Sequence, residues 1–240
     1  MGDEGGGMTR HLPCFLLAAA ALAGSPAVAA DRNYTVTSFD QIRLSGPYKV
    51  RLTTGVAPYA RASGSTQALD GVAIEVNGQI LTVRRNSGST PSYSGQPSGP
   101  VEIEIGTHDL RSASILGAGS LDISAVRSLA FNLTIEGAGS ARVGNLEVDQ
   151  LKLWAAGTAS ASLAGSAKSA TLLVRGVSSL DGASLAVKDA VIGSEGPAIV
   201  RVNVSNTAKV DAKGASQVTL DGAPACTVAA AGSATVSGCR

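Results

Sequence analysis

The 240-residue sequence predicts an all-β fold, a right-handed parallel β-helix (β-solenoid) of about seven coils behind an irregular amino-terminal strand and hairpin cap. Three observations predict it. Glycine is abundant at 29 residues, while charged residues make up only 15% and aromatics 3%; a helical bundle would need Ala, Leu, Glu and Lys at a period of about 3.6. A knot of small residues recurs roughly every nineteen positions. Between knots, apolar and polar residues alternate with the period of a half-buried strand. The 44% hydrophobic content is too high for a disordered chain. A net charge of +1 leaves no excess of Lys and Arg to displace counterions, so nucleic acid is not an expected partner.

Residues 1–30 have the layout of a secretory signal peptide. Arg10 and His11 precede an apolar stretch over 12–23, and small residues follow, with Ala27-Val28-Ala29 or Val28-Ala29-Ala30 as the cleavage signal. The stretch is about twelve residues, short of the ~20 needed to span a bilayer. Asp3 and Glu4 are out of place in a positively charged leader, which makes Met8 an alternative start. Cys14 stands at the beginning of the apolar run rather than just after it, so a lipid anchor is not expected. Residues 31–240 are then one domain carrying 18 basic and 16 acidic residues, with no segment of transmembrane length. The expected address is the periplasm or cell surface of a Gram-negative-like bacterium.

After the leader, short strands are expected over 35–37, 41–44, 48–52, 72–76 and 80–83, with Asn77-Gly78 as a type I′ hairpin signal joining the last two. Residues 84–100 are rich in Ser, Gly and Pro, carry Tyr93 in their middle, and read as an exposed loop. The alternating run 101–105 then enters the solenoid. The first coils double as a cap, since open solenoid ends need polar cover.

The repeat begins at Gly117-Ala118-Gly119-Ser120 and Gly137-Ala138-Gly139-Ser140. It continues through Ala155-Ala156-Gly157-Thr158, Arg175-Gly176-Val177-Ser178, Ser194-Glu195-Gly196-Pro197, Lys213-Gly214-Ala215-Ser216 and Ala230-Ala231-Gly232-Ser233. The fourth positions are spaced by 20, 18, 20, 19, 19 and 17 residues. A unit of this length holds two or three short strands and cannot bury its own inward side chains; stacking supplies the shared core. Inward positions of Val, Leu, Ile and Ala suit a narrow interior, glycine serves the turns, and Ser or Thr in successive coils can form ladders.

Two cysteines follow the leader, Cys226 and Cys239. In an oxidising compartment an even number favours a disulfide. The alternative, a two-thiol metal site, lacks partners, since His108 is the one histidine after the leader and lies far away in sequence.

The recurring Gly-Ala-Gly-Ser, placed after Phe39-Asp40-Gln41-Ile42-Arg43-Leu44-Ser45-Gly46 and Val50-Arg51-Leu52, resembles the putative auto-transporter adhesin, head GIN domain family. Val76-Asn77-Gly78-Gln79-Ile80-Leu81-Thr82-Val83 is similar to that family's second strand pair, and Leu220-Asp221-Gly222-Ala223-Pro224-Ala225-Cys226 to its close. The resemblance covers about residues 35–236 and implies an exported bacterial envelope protein with a β-helical fold and no assigned function.

Parallel β-helices include polysaccharide lyases and hydrolases, which need clustered carboxylates, a basic residue or a calcium site on one face. Asp122 and Arg142 share a position in adjacent coils, and Glu136 is expected at the register of Trp154. Asp181, Asp189, Asp211 and Asp221 do not line up. Glu102, Glu104, His108 and Asp109 form the densest polar group, with the pattern of a solvated strand face. No catalytic, cofactor-binding or metal set emerges, and no phosphate loop is present, because no long helix follows the glycine knots. Two aromatic residues remain as candidate surface-binding positions: Trp154, with Tyr48, Tyr59 or Phe131 as potential partners, and Tyr93. The expected function is a non-enzymatic envelope module of the adhesin type, presenting solenoid faces to a glycan or protein. The alternative is a β-helix polysaccharide-active enzyme, and self-association through Ser- and Ala-rich faces is a third reading.

Overall fold

The computed structural model describes residues 1–2, 30–86, 88 and 100–240; residues 3–29 of the leader and Tyr93 lie outside the described residues. The amino-terminal part is built from short elements. β1 (Ala30–Tyr34), β2 (Gln41–Ser45), β3 (Lys49–Thr54) and β4 (Tyr59–Gly64) come first. A single helical turn, α1 (Thr66–Asp70), follows. Its N-cap Ser65 accepts a hydrogen bond from the Ala68 N–H at 3.2 Å, and it buries Ala68 and Leu69. The antiparallel hairpin β5 (Val72–Asn77) and β6 (Ile80–Arg85) comes next. Its two-residue loop is Gly78-Gln79. Gly78 has φ +62° and no other loop residue is left-handed, which matches a type II′ turn rather than the I′ turn expected from Asn77-Gly78. β7 (Glu102–Thr107) and β8 (Ser112–Gly117) complete the cap.

The solenoid proper consists of five long strands: β9 (Ser120–Gly137), β10 (Ser140–Gly157), β11 (Ser160–Gly176), β12 (Ser179–Glu195) and β13 (Ile199–Gly214). A last coil is split into β14 (Gln217–Asp221), β15 (Ala225–Gly232) and β16 (Thr235–Ser237). Each long strand is parallel to the next over nearly its full length. Where separate short strands were expected, one strand runs round the rod and bends. In β10 the in–out alternation slips at Gly144-Asn145, Asp149-Gln150 and Gly157-Thr158, where two outward residues follow one another and mark corners.

The register sets the coil count. Gly117, Gly137, Gly157, Gly176, Gly196, Gly214 and Gly232 all have positive φ and stack at one corner. Seven such glycines enclose about six turns, not seven coils. The stacked residue of the Gly-Ala-Gly-Ser knots is the first glycine, not the third. Ser140 therefore pairs with Ser160, two residues beyond Thr158, the residue that matching knots as four-residue blocks would choose.

The core is one column set running the length of the rod. Inward residues of β9 are Leu121, Ile123, Val126, Phe131, Leu133 and Ile135, each at most 1% exposed. Buried hydroxyls are satisfied: Ser194 Oγ donates to Ser216 Oγ at 3.0 Å, and Ser178 Oγ donates to the Arg175 carbonyl at 2.9 Å. The cap joins without a break. β3 pairs with the first half of β9 and β8 with its second half, while β7, β4 and β1 extend one sheet and β2, β6 and β5 the other. α1 links β4 to β5 across that end.

Cys226 and Cys239 form a disulfide with a Cα–Cα distance of 5.7 Å. It holds the last residues against the corner before β15, where the Arg240 N–H donates to the Pro224 carbonyl at 3.2 Å. Reducing it, or replacing both cysteines by serine, should lower the unfolding free energy by about 3 kcal/mol, the chain-entropy value for a loop of this size. A denaturant titration with and without reductant measures the difference.

Candidate binding faces

Outward residues stack into columns just as the inward ones do. On the face formed by the first part of each coil, one column reads Arg61, Glu104, Arg51, Asp122, Arg142, Ser162, Asp181, Arg201. The sign alternates at every charged step, at strand spacings of about 4.8 Å. Beside it runs a second column, Glu102, Lys49, Ser120, Ser140, Ser160, Ser179, in place of the Ser120, Ser140, Thr158, Ser178 alignment expected from the repeat. The two columns flank a cleft of ≈ 180 Å³ lined by Lys49, Arg51, Glu102, Glu104 and Asp122. Arg51 reaches Glu102 at 4.0 Å with both side chains at least half exposed, so the pair adds little stability. Asp122 and Arg142 are register partners, as expected. The face is largely polar and continuous from cap to rod, with the exposed Ile199 following Ser179 in the serine column.

The opposite part of each coil carries Trp154. Its register partners are Thr134 and Leu173, while Glu136 pairs with Ala156, so the expected Glu136–Trp154 stacking is displaced by two residues. The Arg175 guanidinium lies over the indole at 4.8 Å from its centroid and also meets Glu195 at 3.3 Å. Trp154 is thus a half-buried surface residue held by a cation–π contact, with no aromatic platform around it. Phe131 is fully buried in the core, Tyr48 is buried with its hydroxyl donating to the Gly71 carbonyl at 3.2 Å, and Tyr59 stands in the cap beside Gly106.

The polar group Glu102, Glu104, His108 and Asp109 divides in two. The glutamates belong to the charged face above. His108 and Asp109 line a separate cleft of ≈ 290 Å³ with Thr54, Arg127, Asn145 and Glu147. Glu147 accepts hydrogen bonds from Arg127 Nε at 2.8 Å and Asn145 Nδ2 at 3.2 Å, which hold its carboxyl below the usual carboxylate range. The sequence gives no direct sign of this grouping, because Arg127 and Glu147 meet His108 only through the coil register. A shallow groove of ≈ 450 Å³ crosses four coils between the columns Ser169, Asp189, Thr207 and Thr171, Val191, Lys209. Asp189 accepts from Thr207 Oγ1 at 2.5 Å and Asn206 Nδ2 at 2.7 Å, and these bonds lower its pKa. Among the described residues, no three His, Cys, Asp or Glu side chains are placed to hold a metal ion. No helix among them is long and apolar enough to cross a membrane.

The family model described as the putative auto-transporter adhesin, head GIN domain, matches residues 38–224. The chain belongs to this family. Solved structures share the chain's fold at low sequence identity. One, named a putative adhesin from Bacteroides fragilis, has a TM-score of 0.77 at 17% identity and covers 87% of this chain and 96% of its own. A putative lipid binding protein from Parabacteroides distasonis has a TM-score of 0.65 at 17% identity, covering 87% of this chain and 95% of its own. A putative adhesin from Parabacteroides merdae has a TM-score of 0.62 at 14% identity, covering 87% and 95%. No curated protein matches the chain. The head GIN family model covers residues 38–224, the span that carries both the charged and the serine columns.

Proposed function

We propose that the chain is an exported, non-catalytic binding module of the adhesin-like kind, presenting the Ser120–Ser179 and Asp122–Arg142 columns to an envelope glycan or protein. The single observation that carries this reading is the continuous polar face, on which hydroxyls and alternating charges repeat at strand spacing. A repeating surface of this kind matches an extended partner, because the serine column offers a hydroxyl at successive coils. The column beside it offers acceptors and donors in alternation to the units of a polymer or the residues of a strand. Membership of the head GIN family and the adhesin names of two structural neighbours support it. The signal-peptide layout of residues 1–30 supports export, and residues 31–240 are proposed as the mature domain.

The test is capture of envelope polysaccharides and proteins by the purified protein, on a glycan array and in pull-downs. Charge reversal at the centre of the face, Asp122→Lys with Arg142→Glu, should weaken the captured interaction about tenfold while leaving the circular dichroism unchanged, because both side chains point outward. Capture that ignores these substitutions overturns the assignment of the face. Reproducible release of reducing or unsaturated sugar ends overturns the non-catalytic reading.

A further inference from the structure

The two ends of the rod are finished differently. At the amino-terminal end, α1 and the β5–β6 hairpin close the core, and the inward residues Leu81 and Val83 are fully buried. At the other end, β15 pairs only with β13 and β16 only with β14, so among the described residues no strand meets their outer edges. Val228 shows the consequence. It continues the inward column Leu153, Leu172, Ile192, Val210, yet it is 44% exposed, where Val210 is 1%. Ala230, next on the inward side, is exposed as well.

An open edge of this kind is a template for another strand, and native sheets guard it with Lys, proline, bulges or a covering element. Here those defences are absent from β15 itself. From Gly222 to Cys239 there is no charged residue, and the nearest proline, Pro224, precedes the strand. The backbone donors and acceptors along the edge accept only an extended chain, and the exposed valine accepts only an apolar neighbour. We propose that the partner is a second copy of this chain, docked end to end with β15 antiparallel to its own equivalent across a two-fold axis.

The choice of occupant rests on complementarity. A charge-free edge meets no like charge when it faces itself, and an isologous contact needs one surface only. At the amino-terminal end the edge strands β1 and β5 pair only with β4 and β6, but they carry Asp31, Arg32 and Glu75, the guard that β15 lacks. The charge-free edge therefore meets its own equivalent, and assembly stops at a dimer. Parity then sets the register. Both strands must turn their Val228 side to the shared core, so paired residues sum to an even number. Centring on Val228 places it opposite the partner's Val228, and places Cys226 opposite the partner's Ala230. The two half-closed cores become one.

Sedimentation of the purified protein over a concentration series tests this. The expected result is a reversible monomer–dimer equilibrium. Val228→Lys sets two ammonium groups against each other at the axis and should weaken dimerisation about a hundredfold. Val191→Lys changes an equally exposed valine in the middle of the rod and should leave it unchanged. As a check independent of folding yield, Val228→Cys should cross-link to its copy under mild oxidation. A monomer at every concentration, assemblies that grow beyond the dimer, a dimer indifferent to Val228→Lys, or no cross-link at position 228 would overturn the proposal.

Discussion

Alanine at Gly157 should cost about 2–5 kcal/mol of unfolding free energy, and valine should prevent the rod from folding. Two effects add at this position. The backbone there has φ +102°, which costs an L side chain about 1–2 kcal/mol, and more for a β-branched one. In addition, a Cβ on Gly157 would stand 2.6 Å from the Gly137 carbonyl oxygen, well inside contact distance. The obstacle is backbone, so no side chain can swing aside. Nor can Gly137 retreat, because its own Cα-side space is filled by Gly117, at 3.0 Å from the Gly117 oxygen to a Cβ position. Strain introduced in one coil is therefore passed to the next, which is the overpacking penalty of about 1–3 kcal/mol in its least relievable form. Gly55 separates the two effects. It also has positive φ, +77°, but a Cβ there would meet nothing within 4 Å. Gly55→Ala should show only the conformational cost, and the difference between the two variants in a denaturant titration measures the close stacking of the corner. Equal losses at both positions would mean that the ladder contributes no packing.

That same corner explains what the sequence revealed and where it misled. Strands and turns were legible because both follow local rules: period-2 alternation for the first, small residues for the second. The register was less so. Each Gly-Ala-Gly-Ser knot holds two glycines, and only the stacked backbone shows that the first has positive φ. Choosing the other moves Trp154 from Thr134 to Glu136 and suggests a polar partner that is not there. The cap was the least legible part. α1 is a single turn, too short for a helical period to register, and β4 and β1 find antiparallel partners that no local pattern announces. The charged face suffered for that reason. Asp122 and Arg142 could be aligned from the repeat, but Arg51, Glu104 and Arg61 come from cap strands outside it. Alternation of sign along the column becomes visible only when the cap is placed.

The core should respond to substitution according to position along the rod, and one column makes the case. Phe131, Leu151, Ala170, Ala190 and Ala208 occupy the same inward register in successive coils. The side chains shrink from the cap toward the carboxy-terminal end, while the spacing between successive corner glycines is 20, 20, 19, 20, 18 and 18 residues and is still 20 in the coil that holds Ala190. This column is thus wide at the cap end and narrow beyond it, while the column Leu121, Ala141, Ala161, Leu180, Val200 is smallest in its middle. Bulk in one column is offset by small residues in another, and the cap end admits the aromatic ring. Phe131 is completely buried, so Phe131→Ala loses the transfer energy of the ring and leaves a cavity that parallel strands on both sides cannot close. The expected loss is about 3–5 kcal/mol. Phe131→Leu should be much milder, since leucine is what the next coil carries. At the narrow end the preference reverses. Ala190→Leu adds volume where the neighbours above and below are alanine, and it should cost about 1–3 kcal/mol by overpacking. Leucine tolerated at 131 and rejected at 190, read from unfolding midpoints of the two variants, is the signature of the taper. The opposite order would show that the coils accommodate volume equally.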